Sequence, residues 1–198
     1  MIGLVGAHRV GKTTLCMELL KGPYTEVPIS ISKIQQRMGY ISSNQLYDWE
    51  TRKLIQVGLL TEFSRILNTG KCATGILQMQ KMATAISERT PLDLVGYLLI
   101  NVPDQLTEED SLWIKDYISS CIDLTNEYYE RVFLVQPGIA YVHDDKSAGQ
   151  ETIDQLNAIY LSLLMDNRLS VERVIIPEEV TDLEERVQIV VGERNAKH

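Results

Sequence analysis

The chain has 198 residues, of which 44% are hydrophobic and 23% are charged, and its formal net charge at pH 7 is −8. This length and composition suit one globular domain, and the acidic balance argues against a protein that binds long stretches of DNA or RNA through a basic face. The sequence shows no signal peptide, no apolar run that could span a bilayer and no disulfide or metal-ligand spacing of its three cysteines, so we expect a cytoplasmic protein without a membrane partner.

The first predicted element is a short apolar strand, residues 2–5, which leads directly into a glycine-rich loop. Residues 6–13, with the sequence GAHRVGKT, fit the phosphate-binding loop pattern G-x-x-x-x-G-K-[ST]. The amphipathic segment 14–20 then predicts a helix, which ends before Pro23. A strand, this loop and a helix in that order are the context that the motif requires, and they disfavour a simple glycine-rich turn with an exposed lysine.

Each fixed position of this motif has a physical role in binding phosphate. Gly6 and Gly11 allow positive φ and a close approach of the backbone, so that successive N–H groups point at an anion. The positive end of the following helix lies under the same phosphates. Lys12 would reach the β- and γ-phosphates, and the Thr13 hydroxyl would hold Mg²⁺. We therefore expect the nucleotide to be bound by Gly6, Ala7, His8, Arg9, Val10, Gly11, Lys12, Thr13 and Thr14.

Between residues 26 and 82 the chain predicts one short strand followed by helices. The strand is indicated by alternation of apolar and polar residues, and the helices by apolar residues at helical spacing. The predicted segments are a strand or extended segment at 26–32, a helical turn at 33–39 closed by Gly39, a polar break at 42–45, a helix at 46–67, a loop with Gly70 and Gly75, and a helical piece at 76–82.

From residue 83 onwards, strands and helices alternate. Thr107 and Asp110 have the spacing of a helix cap. Strands that alternate with helices indicate a parallel sheet covered on both faces, so we predict one α/β domain over residues 1–198. The predicted segments are strands at 83–87, 131–137 and 171–177, helices at 92–101, 107–129, 152–167 and 183–191, and a polar loop at 143–149.

A second group of polar residues, Glu88 and Arg89, follows directly after a predicted strand. Ligands bind at the carboxyl ends of the strands in an open parallel sheet, so this pair should meet the phosphate-binding loop. Glu88 could act as a base near an acceptor hydroxyl or bind a water of Mg²⁺, and Arg89 could bind a phosphate through its planar fork. A surface Glu–Arg pair that caps the next helix is the structural alternative.

Residues 6–13 and residues 88–93, ERTPLD, together resemble the thymidylate-kinase-like P-loop kinases. The most similar groups are the ribosylnicotinamide-kinase domains and the bacteriophage kinases of deoxynucleotides or of 5-hydroxymethyldeoxyuridine in DNA. The resemblance implies a five-stranded parallel sheet, ATP and Mg²⁺ as cofactors, an acidic residue at Glu88 for the acceptor or the metal water, and phosphate binding by Arg89. It covers most of the chain by element order, although only these two segments are specific.

The family resemblance also implies a lid between the fourth strand and the next helix. Relatives often carry a Gly and an Arg there, whereas residues 143–149 of this chain offer Lys146 as their cation. Arg9 already lies in the phosphate-binding loop and is the better candidate for an internal arginine finger. His8 is expected to pack on its neighbours. The predicted catalytic residues are Lys12, Arg9, Glu88 and Arg89, and the predicted metal ligands are Thr13 and Glu88.

The acceptor pocket is predicted from polar and aromatic residues near this edge of the sheet. Trp49 and Tyr97 are equally compatible with core aromatics, and Gln56 is compatible with a solvated helix position. The candidate acceptor residues are Ser32, Lys33, Arg37, Trp49, Arg52, Gln56, Asp93 and Tyr97.

These features predict an ATP-dependent kinase of a nucleoside or (deoxy)nucleotide, of the phage type and then cytoplasmic in the host cell. A kinase of 5-hydroxymethyluracil bases in DNA would use the same catalytic centre, with an unpaired or flipped base. A ribosylnicotinamide kinase and an NTPase switch are further alternatives, although the sequence lacks the Asn-Lys-x-Asp guanine signature and an apolar strand ending in Asp-x-x-Gly. The oligomeric state stays open, with a homodimer among the options.

Overall fold

The computed structural model of the chain is built on one sheet of five parallel strands in the order β2-β3-β1-β4-β5. It describes residues 1–40, 47–79, 84–139 and 149–195, with the backbone alone at 70–79 and 193–195. This confirms the predicted α/β class and the five-stranded parallel sheet. The strands are β1 Ile2–Val5, β2 Tyr24–Glu26, β3 Thr84–Ser87, β4 Arg131–Val135 and β5 Glu172–Ile176.

Helices connect the strands and cover the sheet. Every residue of β1 and β4 is buried, and successive side chains of a strand point to opposite faces, so both faces are covered at the centre of the sheet. No described helix combines the length and the apolar character needed to cross a membrane. The helices of the described residues are α1 Lys12–Leu19, α2 Ile31–Arg37, α3 Trp49–Met79, α4 Pro91–Leu99, α5 Glu108–Tyr128, α6 Gln150–Leu164 and α7 Leu183–Asn195.

The second strand lies earlier in the chain than predicted. β2 pairs with β3 from Tyr24 to Glu26, and the last ladder bond runs from the Val27 N–H to the Ile86 carbonyl. The ladder ends there, one residue before Pro28. Residues 27–30 are therefore irregular, and the predicted helical turn begins at Ile31 as α2 and ends before Gly39, whose φ is 88°.

The predicted loop around Gly70 and Gly75 is wrong, because α3 continues through both residues for 31 residues in total. A glycine inside a helix costs only about 1 kcal/mol relative to alanine. The helix is anchored by Leu59, Phe63 and Leu67, which are buried at helical spacing. The polar break predicted at 42–45 and the loop at 143–148 lie outside the described residues.

The predicted cap of α5 is confirmed. The Asp110 N–H donates to the Thr107 hydroxyl at 3.0 Å, and the Thr107 N–H donates to the Asp110 carboxylate at 3.4 Å. The same carboxylate accepts from Trp49 Nε1 at 2.7 Å and from Lys53 Nζ at 2.9 Å. The cap thus also fixes the beginning of α3 against α5.

The register of the central strands determines where the functional residues meet. β1 lies between β3 and β4, and Gly3 is level with Ser87. The loop after β1 and Glu88, which follows β3, therefore leave the sheet at the same edge, as expected for parallel strands.

Candidate active site

The loop between β1 and α1 has the backbone conformation that the phosphate-binding motif requires. Gly6 has φ 150° and Gly11 has φ 90°, values that side-chain-bearing residues rarely adopt. A Cβ on Gly6 would lie 2.5 Å from the Val135 carbonyl oxygen. Arg9 also has positive φ, 60°, and is exposed. The loop can therefore present a row of N–H groups ahead of α1.

Lys12, the first residue of α1, turns its ammonium group back onto this loop. Its Nζ donates to the carbonyl oxygens of Gly6 and Ala7, both at 2.5 Å, and the residue is 3% exposed. Burial, and secondarily the positive charge of Arg89, lower the Lys12 pKa to about 7. A bound phosphate would supply the negative charge that this buried ammonium lacks.

Thr13 and Glu88 contact each other across the edge of the sheet. The Thr13 hydroxyl donates to Glu88 Oε1 at 2.6 Å. A hydroxyl and a carboxylate are hard oxygen ligands, and Mg²⁺ in nucleotide sites takes one or two such groups together with phosphates and water. Among the described residues no cluster of three or more His, Cys, Asp or Glu could bind a metal alone. The pair therefore fits Mg²⁺ that is bound together with a nucleotide.

Arg89 is oriented by α4 and does not pair with Glu88. Its NH1 group donates to Asp93 Oδ1 at 3.0 Å and to the Tyr97 hydroxyl at 3.3 Å. Asp93 is fully buried, and its second oxygen accepts from the Thr90 N–H at 2.8 Å and caps α4. The alternative of a surface Glu–Arg pair is thus not what the structure shows. Asp93, predicted to contact the acceptor, instead holds Arg89.

His8 links the phosphate-binding loop to the same helix. Its Nδ1 lies 3.1 Å from the Tyr97 hydroxyl, and the two ring centroids are 5.0 Å apart. Burial, followed by the positive charge of Arg89, lowers the His8 pKa to about 4. The imidazole is therefore neutral at pH 7 and packs on its neighbours, as predicted for this residue.

A cavity of about 330 Å³ opens beside this network, between α2, α3 and α4. Gln56 Oε1 accepts from the Tyr117 hydroxyl at 2.8 Å, which orients its amide. Gln35 is 6% exposed, and its Oε1 is buried without a hydrogen-bond partner. Gln35 was not among the predicted acceptor residues, since nothing in the sequence distinguishes it from Gln36. The lining residues are His8, Ile29, Ser30, Ile31, Ser32, Gln35, Gln56, Leu59, Glu88, Arg89, Leu94 and Tyr97.

A more open cavity of about 720 Å³ adjoins the first one, and the two share Ile29, Ser30 and Glu88. Lys33 and Arg37, one turn apart on α2, line it and form no ion pair with any described residue. Glu26 also lines it. Glu26, predicted to begin a strand, instead ends β2 at the same edge of the sheet as Glu88.

Several predicted residues lie away from these two cavities. Arg52 is not among their lining residues, and its Nε donates to the Tyr47 carbonyl oxygen at 3.3 Å. Trp49 is bound to the cap of α5 and contacts Trp113 edge-on. Lys146, the predicted lid residue, lies outside the described residues.

No protein-family model matches the chain, and no curated protein matches its sequence. Solved structures match over almost the whole length. A structure of deoxyadenosine kinase from M. mycoides with bound dCTP has a TM-score of 0.61 at 17% identity, covering 98% of each chain. The same kinase with bound dATP has a TM-score of 0.58 at 18% identity, also covering 98% of each chain. The YorR protein from Bacillus subtilis, in complex with phosphorylated GDP, has a TM-score of 0.53 at 14% identity over 100% of this chain and 96% of that one.

These likenesses concern the fold. The chain has the fold of P-loop nucleoside and nucleotide kinases, with all five strands parallel and the phosphate-binding loop after the central strand.

Proposed function

We propose that this chain, with its P-loop kinase fold, transfers the γ-phosphoryl group of ATP to a nucleoside or (deoxy)nucleotide acceptor. The observation that carries the proposal is the position of Glu88. Its carboxylate contacts Thr13 of the phosphate-binding loop at 2.6 Å and also lines both cavities. A donor phosphate on the loop and an acceptor in the cavity would therefore meet at one carboxylate.

The donor side would bind the triphosphate through the backbone of the loop and Lys12. Mg²⁺, held by Thr13 and Glu88 together with the nucleotide, would neutralise the charge of the phosphates. Arg9 is exposed on the same loop and is the proposed arginine finger. Arg89, fixed by Asp93 and Tyr97, would bind a phosphate oxygen through a planar fork that is already oriented.

The smaller cavity suits a nucleoside. Its volume lies at the small end of the range of about 300–1,000 Å³ that is typical of small-molecule sites. Ile29, Leu59 and Leu94 supply apolar walls for a nucleobase. The buried Gln35 Oε1 lacks a donor, which an N–H group of a base would provide. The structurally similar deoxyadenosine kinase also binds deoxynucleotides, dCTP and dATP.

The open cavity accommodates more than a nucleoside. Lys33 and Arg37 would bind the phosphate of a nucleotide acceptor, or the backbone of a DNA strand whose 5-hydroxymethyluracil base enters the smaller cavity. Glu88 lies at the junction of the two cavities and Glu26 lines the larger one, and either carboxylate could accept the proton of an acceptor hydroxyl. The acidic net charge of −8 favours the small acceptor over DNA.

A phosphate-transfer screen tests the proposal. Purified protein is incubated with Mg²⁺ and γ-labelled ATP, together with nucleosides, nucleoside monophosphates, nicotinamide riboside or single-stranded DNA containing 5-hydroxymethyluracil. Label should move to a nucleoside or monophosphate faster than it is released as free phosphate, and Lys12→Met provides the inactive control. Labelling of the DNA alone or of nicotinamide riboside alone would replace the proposed acceptor. Hydrolysis that no acceptor changes would identify an NTPase switch instead.

A further inference from the structure

Arg186, on the first turn of α7, lies directly behind the phosphate-binding loop. Its NH1 group donates to the Val10 carbonyl oxygen and its Nε to the Val180 carbonyl oxygen, both at 2.6 Å. The residue is only 2% exposed, and its side chain is the largest of the fully buried ones among the described residues. It thus joins the loop that would bind phosphate to the segment between β5 and α7.

This guanidinium lacks a negative partner. Its NH2 group is buried without a hydrogen-bond partner, and within the described part of the chain no carboxylate forms an ion pair with it. Arg89 and Arg131, which are also largely buried, pair with Asp93 and Glu172. Buried charges are normally paired in this way, since an isolated one is costly to remove from water. Burial accordingly lowers the pKa of Arg186.

The charge lies close to the place where a triphosphate would bind. A Cβ on Gly11 would be 3.1 Å from Arg186 NH1, so the guanidinium packs against the backbone of the residue that precedes Lys12. The loop N–H groups and the phosphates would occupy the opposite side of this backbone. Only one layer of main chain would separate the two charges, and solvent screens such an attraction little.

We propose that Arg186 is a positioning residue of the nucleotide site. It holds the Val10 carbonyl from behind, so that the N–H groups of the loop face the phosphates, and its positive charge is balanced when a triphosphate binds. The proposal rests on the proposed function, because it requires a triphosphate on the loop. It adds a residue that the motif does not contain and that is separated from Val10 by 176 positions in sequence.

Two opposite effects follow from replacing Arg186 by methionine, which keeps much of the side-chain volume. In the free protein, relief of an unpaired buried charge offsets the loss of two hydrogen bonds, so the melting temperature should change by about 4 °C or less. Affinity for Mg²⁺–ATP should weaken about tenfold or more, since both the held carbonyl and the charge are lost. A residue that only stabilised the fold would show the reverse pattern.

The experiment measures the dissociation constant of Mg²⁺–ATP by calorimetry and the melting temperature with and without nucleotide. Variants are Arg186→Met, Arg186→Lys and, as matched control, Arg173→Met, whose arginine also donates to a backbone carbonyl, that of Leu164, outside the candidate site. Arg186→Lys restores the charge and should recover part of the lost affinity, whereas the control should bind ATP like wild type.

The proposal is overturned if Arg186→Met binds ATP with wild-type affinity, or if Arg186→Lys binds no better than Arg186→Met. If the methionine variant does not fold, the lysine variant decides alone. A normal affinity then contradicts the proposal, and a loss of affinity at an unchanged free-state melting temperature supports it. Failure of wild type itself to bind any nucleoside triphosphate would instead contradict the proposed function, which separates the two outcomes.

Discussion

The phosphate-binding loop and the neighbouring cavity satisfy their polar groups in different ways. On the loop side, the Lys12 ammonium is bound by two carbonyls of the loop, and the Thr13 hydroxyl is bound by Glu88. On the cavity side, the Gln35 oxygen has no partner, and Lys33 and Arg37 form no ion pair with a described residue. The donor side must therefore exchange contacts when a ligand binds, whereas the acceptor side gains them.

This difference has an energetic consequence. On the loop, a ligand replaces hydrogen bonds that the protein already makes within itself. The hydrogen bonds lost and gained nearly cancel, so the net affinity for the ligand depends mainly on charge. Where a buried acceptor has no partner, a ligand that supplies one removes a penalty that the free protein carries. Substitutions on the loop should therefore act mainly on phosphoryl transfer, and those in the cavity mainly on the choice of acceptor.

The largest effect is expected for Lys12→Met, which removes the ammonium and keeps the stem of the side chain. Donors aimed at charge that develops in the transition state are typically worth about 10²–10³ in rate. We expect phosphate transfer to fall by about 10³, measured in single turnover with saturating ATP and the acceptor identified by the screen. The fold should persist, because the variant also removes a buried charge. Transfer within tenfold of wild type would contradict the role of Lys12.

The next effect is expected for Glu88→Gln, which keeps the size and the hydrogen bond to Thr13 but removes the charge shared by the two sides. A general base or a metal-water contact is typically worth about 10²–10⁴ in rate. We expect transfer to fall by about 10², while the affinity for ATP stays within a few-fold of wild type. Calorimetry and single-turnover kinetics measure the two quantities separately. A loss of ATP binding equal to the loss of transfer would show that Glu88 serves the donor alone.

How much of this site could be predicted from the sequence follows from the same comparison. The loop residues are consecutive, so a motif identifies them, and Glu88 follows from the rule that parallel strands end at one edge. The acceptor side is assembled from three helices, whose rotation depends on packing. Gln35 and Gln36 differ by about 100° around α2, and the sequence alone does not indicate which of them is buried.

The same limit explains the residues that sequence analysis placed elsewhere. Arg52 and Gln56 lie one turn apart on α3, yet Gln56 lines the cavity and Arg52 bonds to the Tyr47 carbonyl. The carboxylate of Asp93 could bind a substrate, but one of its oxygens accepts from Arg89 and the other caps α4. No local sequence pattern identifies Arg186, since its partner Val10 lies near the other end of the sequence.

A smaller effect, confined to the acceptor side, is expected for Gln35→Leu. Leucine has a similar volume and removes the unpartnered oxygen, so the free protein should be as stable as wild type or more so. The kcat/KM for the acceptor should fall by about tenfold, which corresponds to one lost hydrogen bond of about 1.4 kcal/mol, with ATP affinity unchanged. Gln155→Leu, an exposed glutamine on α6, is the control. A kcat/KM for the acceptor equal to that of wild type would show that Gln35 does not contact it.

The smallest effect is that of raising the pH from 7 to 8, which tests whether the loop exchanges charge when ATP binds. The pKa of Lys12 in the free protein is lowered to about 7, chiefly by burial, and the negative phosphates should raise it in the complex. ATP then binds the protonated form. Below pH 7 this lysine is already charged and contributes no pH dependence, whereas above pH 7 binding takes up a proton. Affinity should therefore fall by about fivefold between pH 7 and 8, and the fall should approach tenfold for each further pH unit.

Calorimetry in buffers of different ionisation enthalpy measures the proton uptake directly, and Lys12→Met should abolish it. An affinity that stays constant from pH 7 to 9 in wild type would show that Lys12 keeps its charge without the nucleotide. The loop would then not gain a charge when ATP binds, and it would differ less from the cavity side than the contacts of Lys12 indicate.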